Sequence, residues 1–181
     1  MTIRVGDKIP ESTLSTMGDG GPASVSTDAV FAGKKVVLFA VPGAFTPTCS
    51  ARHLPGFVDQ ADEILARGVD TIACMAVNDV FVMNAWGKSA GAESLLMLAD
   101  GNGEFTRALG LELDATSFGM GHRSQRFALI AEDGVVTGTR LKDAMDQGED
   151  AVDALTRNTQ LPLEGVRPSG GIFAPTIRHH N

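Results

Sequence analysis

The chain has 181 residues, 43% of them hydrophobic, and a formal net charge of −7 at pH 7, which suits one soluble domain with a sizeable core. No basic run is present, which argues against nucleic acid or an acidic membrane surface as partner, and no apolar stretch reaches the ~18 residues of a membrane-spanning helix. The opening Met1-Thr2-Ile3-Arg4-Val5-Gly6-Asp7 has the character of neither a signal peptide nor a transit segment, so a cytoplasmic location is expected.

In chain order, Thr13–Met17 and Ala23–Ser26 flank Gly18-Asp19-Gly20-Gly21-Pro22 and read as a hairpin. Ser26 or Thr27 caps a short helical turn before Gly33. Val36–Val41 is a β-branched, apolar run expected of a central strand buried on both faces. A helix is predicted from Thr48 to about Arg67, kinked at Pro55-Gly56 because Pro55 has no N–H for the carbonyl four residues back. Val69–Val77 is the next strand, and Asp79–Lys88 a helix entered through an Asn-Asp cap. Leu95–Leu98 is a short strand ending at Asp100-Gly101-Asn102-Gly103, a turn and not a nucleotide loop. A short helix follows over Gly103–Leu109. Phe127–Ala131 and Val135–Thr139 form a second hairpin across Glu132-Asp133-Gly134, and a closing helix is expected near Glu149–Asn158. This order predicts an α/β fold of the thioredoxin-like kind: a central mixed sheet flanked by helices, with an N-terminal β-hairpin. The domain is placed at 1–161, followed by a Pro/Gly-rich C-terminal extension at 162–181.

The most informative stretch runs from the end of the Val36–Val41 strand into the helix that follows it, Val41-Pro42-Gly43-Ala44-Phe45-Thr46-Pro47-Thr48-Cys49-Ser50. Thr46 is a good N-cap and Pro47 suits the first helical position. On that phasing Cys49 sits in the first turn, where unpaired N–H groups and the positive end of the helix dipole lower a thiol's pKa. Thr46 can accept a backbone N–H and donate its hydroxyl to a bound oxygen, while Pro42 brings a rigid wall and no competing donor.

The spacing Pro-x3-Thr-x2-Cys resembles the active-site signature of the peroxiredoxins. The longer stretch from Pro42 to Phe57, together with Ala76–Met83, Leu98–Gly101 and Arg123–Ala128, is similar to their type II branch, and the similarity runs from about Ile3 to about Leu161. The resemblance implies a thiol peroxidase reducing hydrogen peroxide and small organic hydroperoxides, with Cys49, Thr46, Arg126 and Pro42 as catalytic candidates. Gly43, Phe45, Thr48 and Arg123 are the further candidates for holding substrate. The always-charged fork of Arg126 would stabilise charge growing on the peroxide oxygens, and Cys49 would pass through a sulfenic acid. No cofactor or metal is required for these steps.

Cys74 has two readings, a small hydrophobe inside an apolar strand or a resolving cysteine that closes a disulfide with Cys49. His53, four residues after Cys49, either tunes the thiolate or holds the kink. A metal site from Cys49, His53 and His122 lacks ligand-pair spacing. The reductant implied is glutathione with glutaredoxin, or thioredoxin. A homodimer covering some of Phe45, Val80, Phe81, Trp86 and Met120 is implied by the same resemblance. Met75, Met83, Met97 and Met120 read as core or interface filler. Val80 stands where the family commonly has a proline, which leaves the local loop shape open. Two alternatives remain at this point. A thiol–disulfide oxidoreductase is disfavoured because Ala51-Arg52 replaces the second half of a Cys-x-x-Cys; a redox sensor or holdase would be switched by Cys49 oxidation.

Overall fold

The run at 36–41 is apolar without alternation because both of its faces are covered. In the computed structural model, which describes residues 1–47, Ser50 and 54–140, β3 (Lys35–Val41) lies between β4 (Thr71–Ala76), parallel to it, and β8 (Phe127–Glu132), antiparallel. Val37, Phe39 and Val41 pack on one side with Leu54, Phe57 and Ile64 of α2 (Leu54–Ala66) and Met83 and Trp86 of α3 (Val80–Ser89). Val36, Leu38 and Ala40 pack on the other with Val30 and Phe31 of α1 (Thr27–Phe31) and Phe105 of α4 (Glu104–Ala108). Odd and even positions thus feed two separate cores. Phe39 and Phe57 stack with ring centroids 3.9 Å apart and planes 5° from parallel, fastening α2 to the middle of the sheet.

Among the described residues the sheet runs β2-β1-β5-β4-β3-β8-β9. Here β1 (Thr13–Gly18) and β2 (Gly21–Ser26) are the N-terminal hairpin, β5 (Leu96–Ala99) is parallel to β4, and β9 (Val135–Arg140) pairs antiparallel with β8. Parallel centre and antiparallel margins make it a mixed thioredoxin-like sheet, as the order of elements predicts. Local chemistry sets the junctions. Ser26 Oγ accepts the Ala29 N–H to cap α1, while Thr27 instead donates to the Pro10 carbonyl. Asp79 Oδ1 accepts the Val82 N–H to cap α3, so valine at position 80 starts a regular helix. Asp133 (φ 49°) and Gly134 (φ 77°) make the left-handed two-residue turn that joins β8 to β9.

The described part of α2 begins at Leu54 and includes Pro55; residues 51–53, through which the expected helix would enter Pro55-Gly56, lie outside the described residues. Of the five residues among which some are expected under a second subunit, Trp86 and Val80 are buried in their own chain at 1% and 9% exposure, packed from α3 against the sheet, while Phe45 and Phe81 are exposed. A small second sheet, β6 (Glu112–Asp114) with β7 (His122–Ser124), was not expected at all. The expected closing helix and the extension from 162 lie outside the described residues. None of the described helices is long and apolar enough to cross a membrane.

Candidate active site

The site is built at one end of the sheet by strand register. Val41 is opposite Ala76, so β3 and β4 finish level and the loops leaving them lie side by side. Because β8 runs the other way, its first residue Phe127 falls beside Ala40, and Arg126, one residue earlier, is delivered to the same end. This is the carboxyl edge of the parallel strands, where α/β sheets hold their ligands.

The signature loop is tightly folded. Gly43 carbonyl accepts from Thr46 Oγ1 (2.7 Å) and from the Thr46 N–H (3.4 Å). Thr46 carbonyl in turn accepts the Ser50 N–H (2.9 Å), the first bond of a helical turn with Pro47 in helical conformation. The predicted capping position of Thr46 and the helical start at Pro47 are therefore both present. The threonine's hydroxyl proton, expected to face a bound oxygen, is directed at Gly43 instead; it must turn from that carbonyl before it can donate to a ligand. Phe45 adopts φ 63°, a left-handed conformation that costs a non-glycine residue about 1–2 kcal/mol. Gly43 has no positive φ, and its need for glycine is steric. A Cβ there would lie 3.1 Å from the Thr46 methyl and 3.4 Å from Met120 Cε.

Neighbouring segments grip this loop. The Ala44 N–H donates to Asn78 Oδ1 (2.9 Å), and Trp86 Nε1–H donates to Ser50 Oγ (3.1 Å). Arg123 donates from Nη1 to the Val77 carbonyl and from Nε to the Met120 carbonyl, both at 2.8 Å. Arg123, expected as a substrate contact, thus braces β7 against the end of β4. Arg126 is half-buried with its Nε shielded from solvent. Pro42 is half-buried beside the loop, and Phe45 is 54% exposed at its rim. Cys74, at 0% exposure, sits mid-strand between Phe39 and Met97. Thr48, Cys49 and His53 lie outside the described residues. Asn78 and Ser50 are the residues that sequence reasoning missed as loop partners. The Asn-Asp pair is read in the sequence as a helix cap and as part of the Ala76–Met83 stretch, not as a partner of the loop, although an amide just past a parallel strand's end was the available signal.

A thioredoxin-like sheet carrying a helical turn that starts after Thr46 at its carboxyl edge, with an arginine delivered there by the adjacent antiparallel strand and a cysteine in the sequence of that turn, defines the class: a thiol-bearing redox fold. The Redoxin family pattern matches residues 4–155. The chain is 54% identical to rice peroxiredoxin-2E-2, chloroplastic, over 148 residues, covering 78% of this chain and 66% of that protein, just under two thirds of its length. It is 50% identical to peroxiredoxin-2B of Arabidopsis thaliana over 137 residues, covering 75% and 85%. Among solved structures, reduced Prx3 of Vibrio vulnificus in complex with hydrogen peroxide superposes with a TM-score of 0.75 at 54% identity, covering 77% of this chain and 88% of that one. The chain belongs to the Redoxin family and, within it, to the type II peroxiredoxins.

Proposed function

We propose that the chain is a thiol-dependent peroxidase that reduces hydrogen peroxide and small organic hydroperoxides in antioxidant defence. The observation that carries this is the Pro42–Ser50 loop, which keeps the complete Pro-x3-Thr-x2-Cys spacing while its described part, Gly43 to Thr46, is folded against Asn78 beside the Arg126 strand end. The similarity to a protein solved with hydrogen peroxide supports the same substrate class.

In this reading the Cys49 thiolate attacks one peroxide oxygen in line. A sulfur–oxygen bond forms as the oxygen–oxygen bond breaks, and the electron pair leaves on the second oxygen, which takes up a proton to depart as water or alcohol. Arg126 and the loop N–H groups stabilise that developing charge, with Thr46 contributing once its hydroxyl turns from Gly43. A thiol then displaces hydroxide from the Cys49 sulfenic acid to give a mixed disulfide and water, and a second thiol restores the thiolate.

Cys74 serves as core in this scheme. Its strand is hydrogen-bonded on both sides, and a disulfide needs Cα atoms within about 7 Å together with an open path. An external reductant, glutathione with glutaredoxin or else thioredoxin, follows. Cys74→Ala is expected to keep peroxide consumption within about twofold of wild type while lowering stability by about 1 kcal/mol for the atom removed from the core, checked by stopped-flow peroxide assay and urea unfolding. Loss of turnover in that variant would instead make Cys74 the resolving thiol.

Phe45, Phe81 and Phe118 are 54%, 64% and 81% exposed on elements around the site, which supports a homodimer formed over this face; sedimentation of the purified chain as a monomer would remove that part of the reading. Cytoplasmic action is retained with it, to be checked by locating the tagged chain in its own cells. The decisive experiment follows hydrogen peroxide and tert-butyl hydroperoxide loss with reduced full-length chain, using glutathione plus glutaredoxin in one arm and thioredoxin plus its reductase in the other. Catalytic loss in either arm supports the function and assigns the reductant; no loss in both arms overturns it.

A further inference from the structure

A side chain from outside the described loop that precedes Cys49 holds its backbone, and it belongs to none of the residues discussed so far as chemistry. We infer that Asn78 is a positioning residue of the site: its amide oxygen, braced from behind by Arg123, fixes the Ala44–Thr46 turn in the conformation the reaction uses. The inference rests on the peroxidase reading above.

Four observations lead there. The donor at Ala44 is a backbone N–H, so only the oxygen of the Asn78 amide can accept it, and the 2.9 Å contact is an ordinary strong geometry. The next residue, Phe45, is in the left-handed region, which a phenylalanine leaves unless neighbouring bonds over-determine it; an anchored residue on one side and the Gly43–Thr46 bonds on the other do so. Asn78 itself stands on a rigid shelf. Val77 carbonyl is held by Arg123 Nη1, and Arg123 Nε holds Met120, whose methyl borders Gly43. Finally, the 78–79 backbone has the next turn beside it: a Cβ at Gly101 would be in ordinary van der Waals contact with the Asn78 carbonyl oxygen (3.7 Å) and Asp79 Cα (3.9 Å). Arg123, Val77, Asn78 and Ala44 therefore form a continuous line from the small second sheet to the loop. Without the amide oxygen the Ala44 N–H loses its acceptor, Phe45 is free to relax, and Gly43 and Thr46 shift together. A displacement of about 1 Å in such a loop is worth up to ~10²-fold in rate.

The test uses full-length chain in a Cys74→Ala background. Asn78→Leu keeps the side-chain volume without an acceptor, and Asn78→Asp keeps the acceptor. Two rates are read across pH: peroxide consumption by the reduced protein, and alkylation of Cys49 by iodoacetamide, which needs no peroxidase function. The expected result is a plateau peroxide rate reduced about tenfold or more in Asn78→Leu with a melting temperature close to wild type. Asn78→Asp should stay within about threefold at the plateau, its alkylation profile moved to higher pH by the added negative charge. Equal plateaus in Asn78→Leu and wild type, or equal losses in the two variants, overturn the inference. Should Asn78→Leu fold poorly, Asn78→Ala and Arg123→Gln make the same comparison. A wild type that consumes no peroxide sinks the peroxidase reading, and the positioning role is then judged on the alkylation profiles, where an unmoved Asn78→Leu curve ends it.

Discussion

Replacing Cys49 by serine is expected to remove peroxide turnover while leaving the fold intact. A serine hydroxyl is not ionised near neutrality and lacks the polarisable sulfur that attacks a peroxide oxygen, and loss of a nucleophile is felt as about 10³-fold or more in rate. No other thiol can take over. Cys74 is the only other cysteine in the sequence, and at 0% exposure inside a central strand it cannot meet a peroxide. Stability should barely change, since the two side chains are close in size. The measurement is peroxide loss at substoichiometric protein with excess glutathione and glutaredoxin, alongside thermal unfolding by circular dichroism. Turnover of Cys49→Ser equal to wild type would show that the chemistry lies elsewhere, and the alternative of a sensor or holdase could then be pursued on its own terms.

The sheet was legible because its strands are apolar for a single physical reason. Val36–Val41 and Val69–Val77 must satisfy two cores at once, so their composition alone announces a central parallel pair. Gly-rich and Asp-Gly turns marked both hairpins, and Ser26 and Asp79 announced their helices because a side-chain oxygen ahead of an apolar run has a free N–H to serve. The small β6–β7 sheet escaped notice for the converse reason. Its strands are three residues each, too short to show a period, and they are held by contacts that no local pattern encodes, such as the Gln125 N–H to the Leu111 carbonyl and Arg123 to Val77. Which of the five residues grouped with a second subunit stay exposed was not legible either: on α3 Trp86 turns inward, where its N–H finds Ser50, while Phe81 remains exposed.

At the site, sequence named residue types whose chemistry is local and missed those whose work is done at a distance. Thr46 was recognisable because capping depends on the next few residues. Its hydroxyl direction was not, since that depends on where Gly43 carbonyl points after the loop has closed. Asn78 lies 34 positions from Ala44 in the chain, and only the level ending of β3 and β4 brings the two together. The antiparallel register of β8 on β3 likewise brings Arg126 to this edge, from 77 positions further along the chain than Cys49.

Arg126→Gln is expected to lower the rate constant for peroxide reduction by about 10²–10³-fold, the scale at which removal of one preorganised donor at a developing oxyanion is felt. The antiparallel register that sets Phe127 against Ala40 leaves Arg126 beside the end of β3, and a half-buried guanidinium there acts in a medium less screening than water. Arg126→Lys keeps the charge but loses the planar fork, which can address two oxygens at once, so it should recover only part of the loss. The two variants separate charge from geometry. If the positive charge chiefly favours the Cys49 thiolate, Arg126→Gln moves the iodoacetamide alkylation profile to higher pH and Arg126→Lys restores it. If the fork chiefly serves the leaving oxygen, peroxide reduction stays depressed in Arg126→Lys even where alkylation shows the thiol fully ionised. The second pattern is expected, because the same fork must follow charge that moves from sulfur to oxygen as the bond breaks. Wild-type peroxide rates in Arg126→Gln would detach this arginine from the reaction and return the catalytic cation to the other arginine at this edge, Arg123.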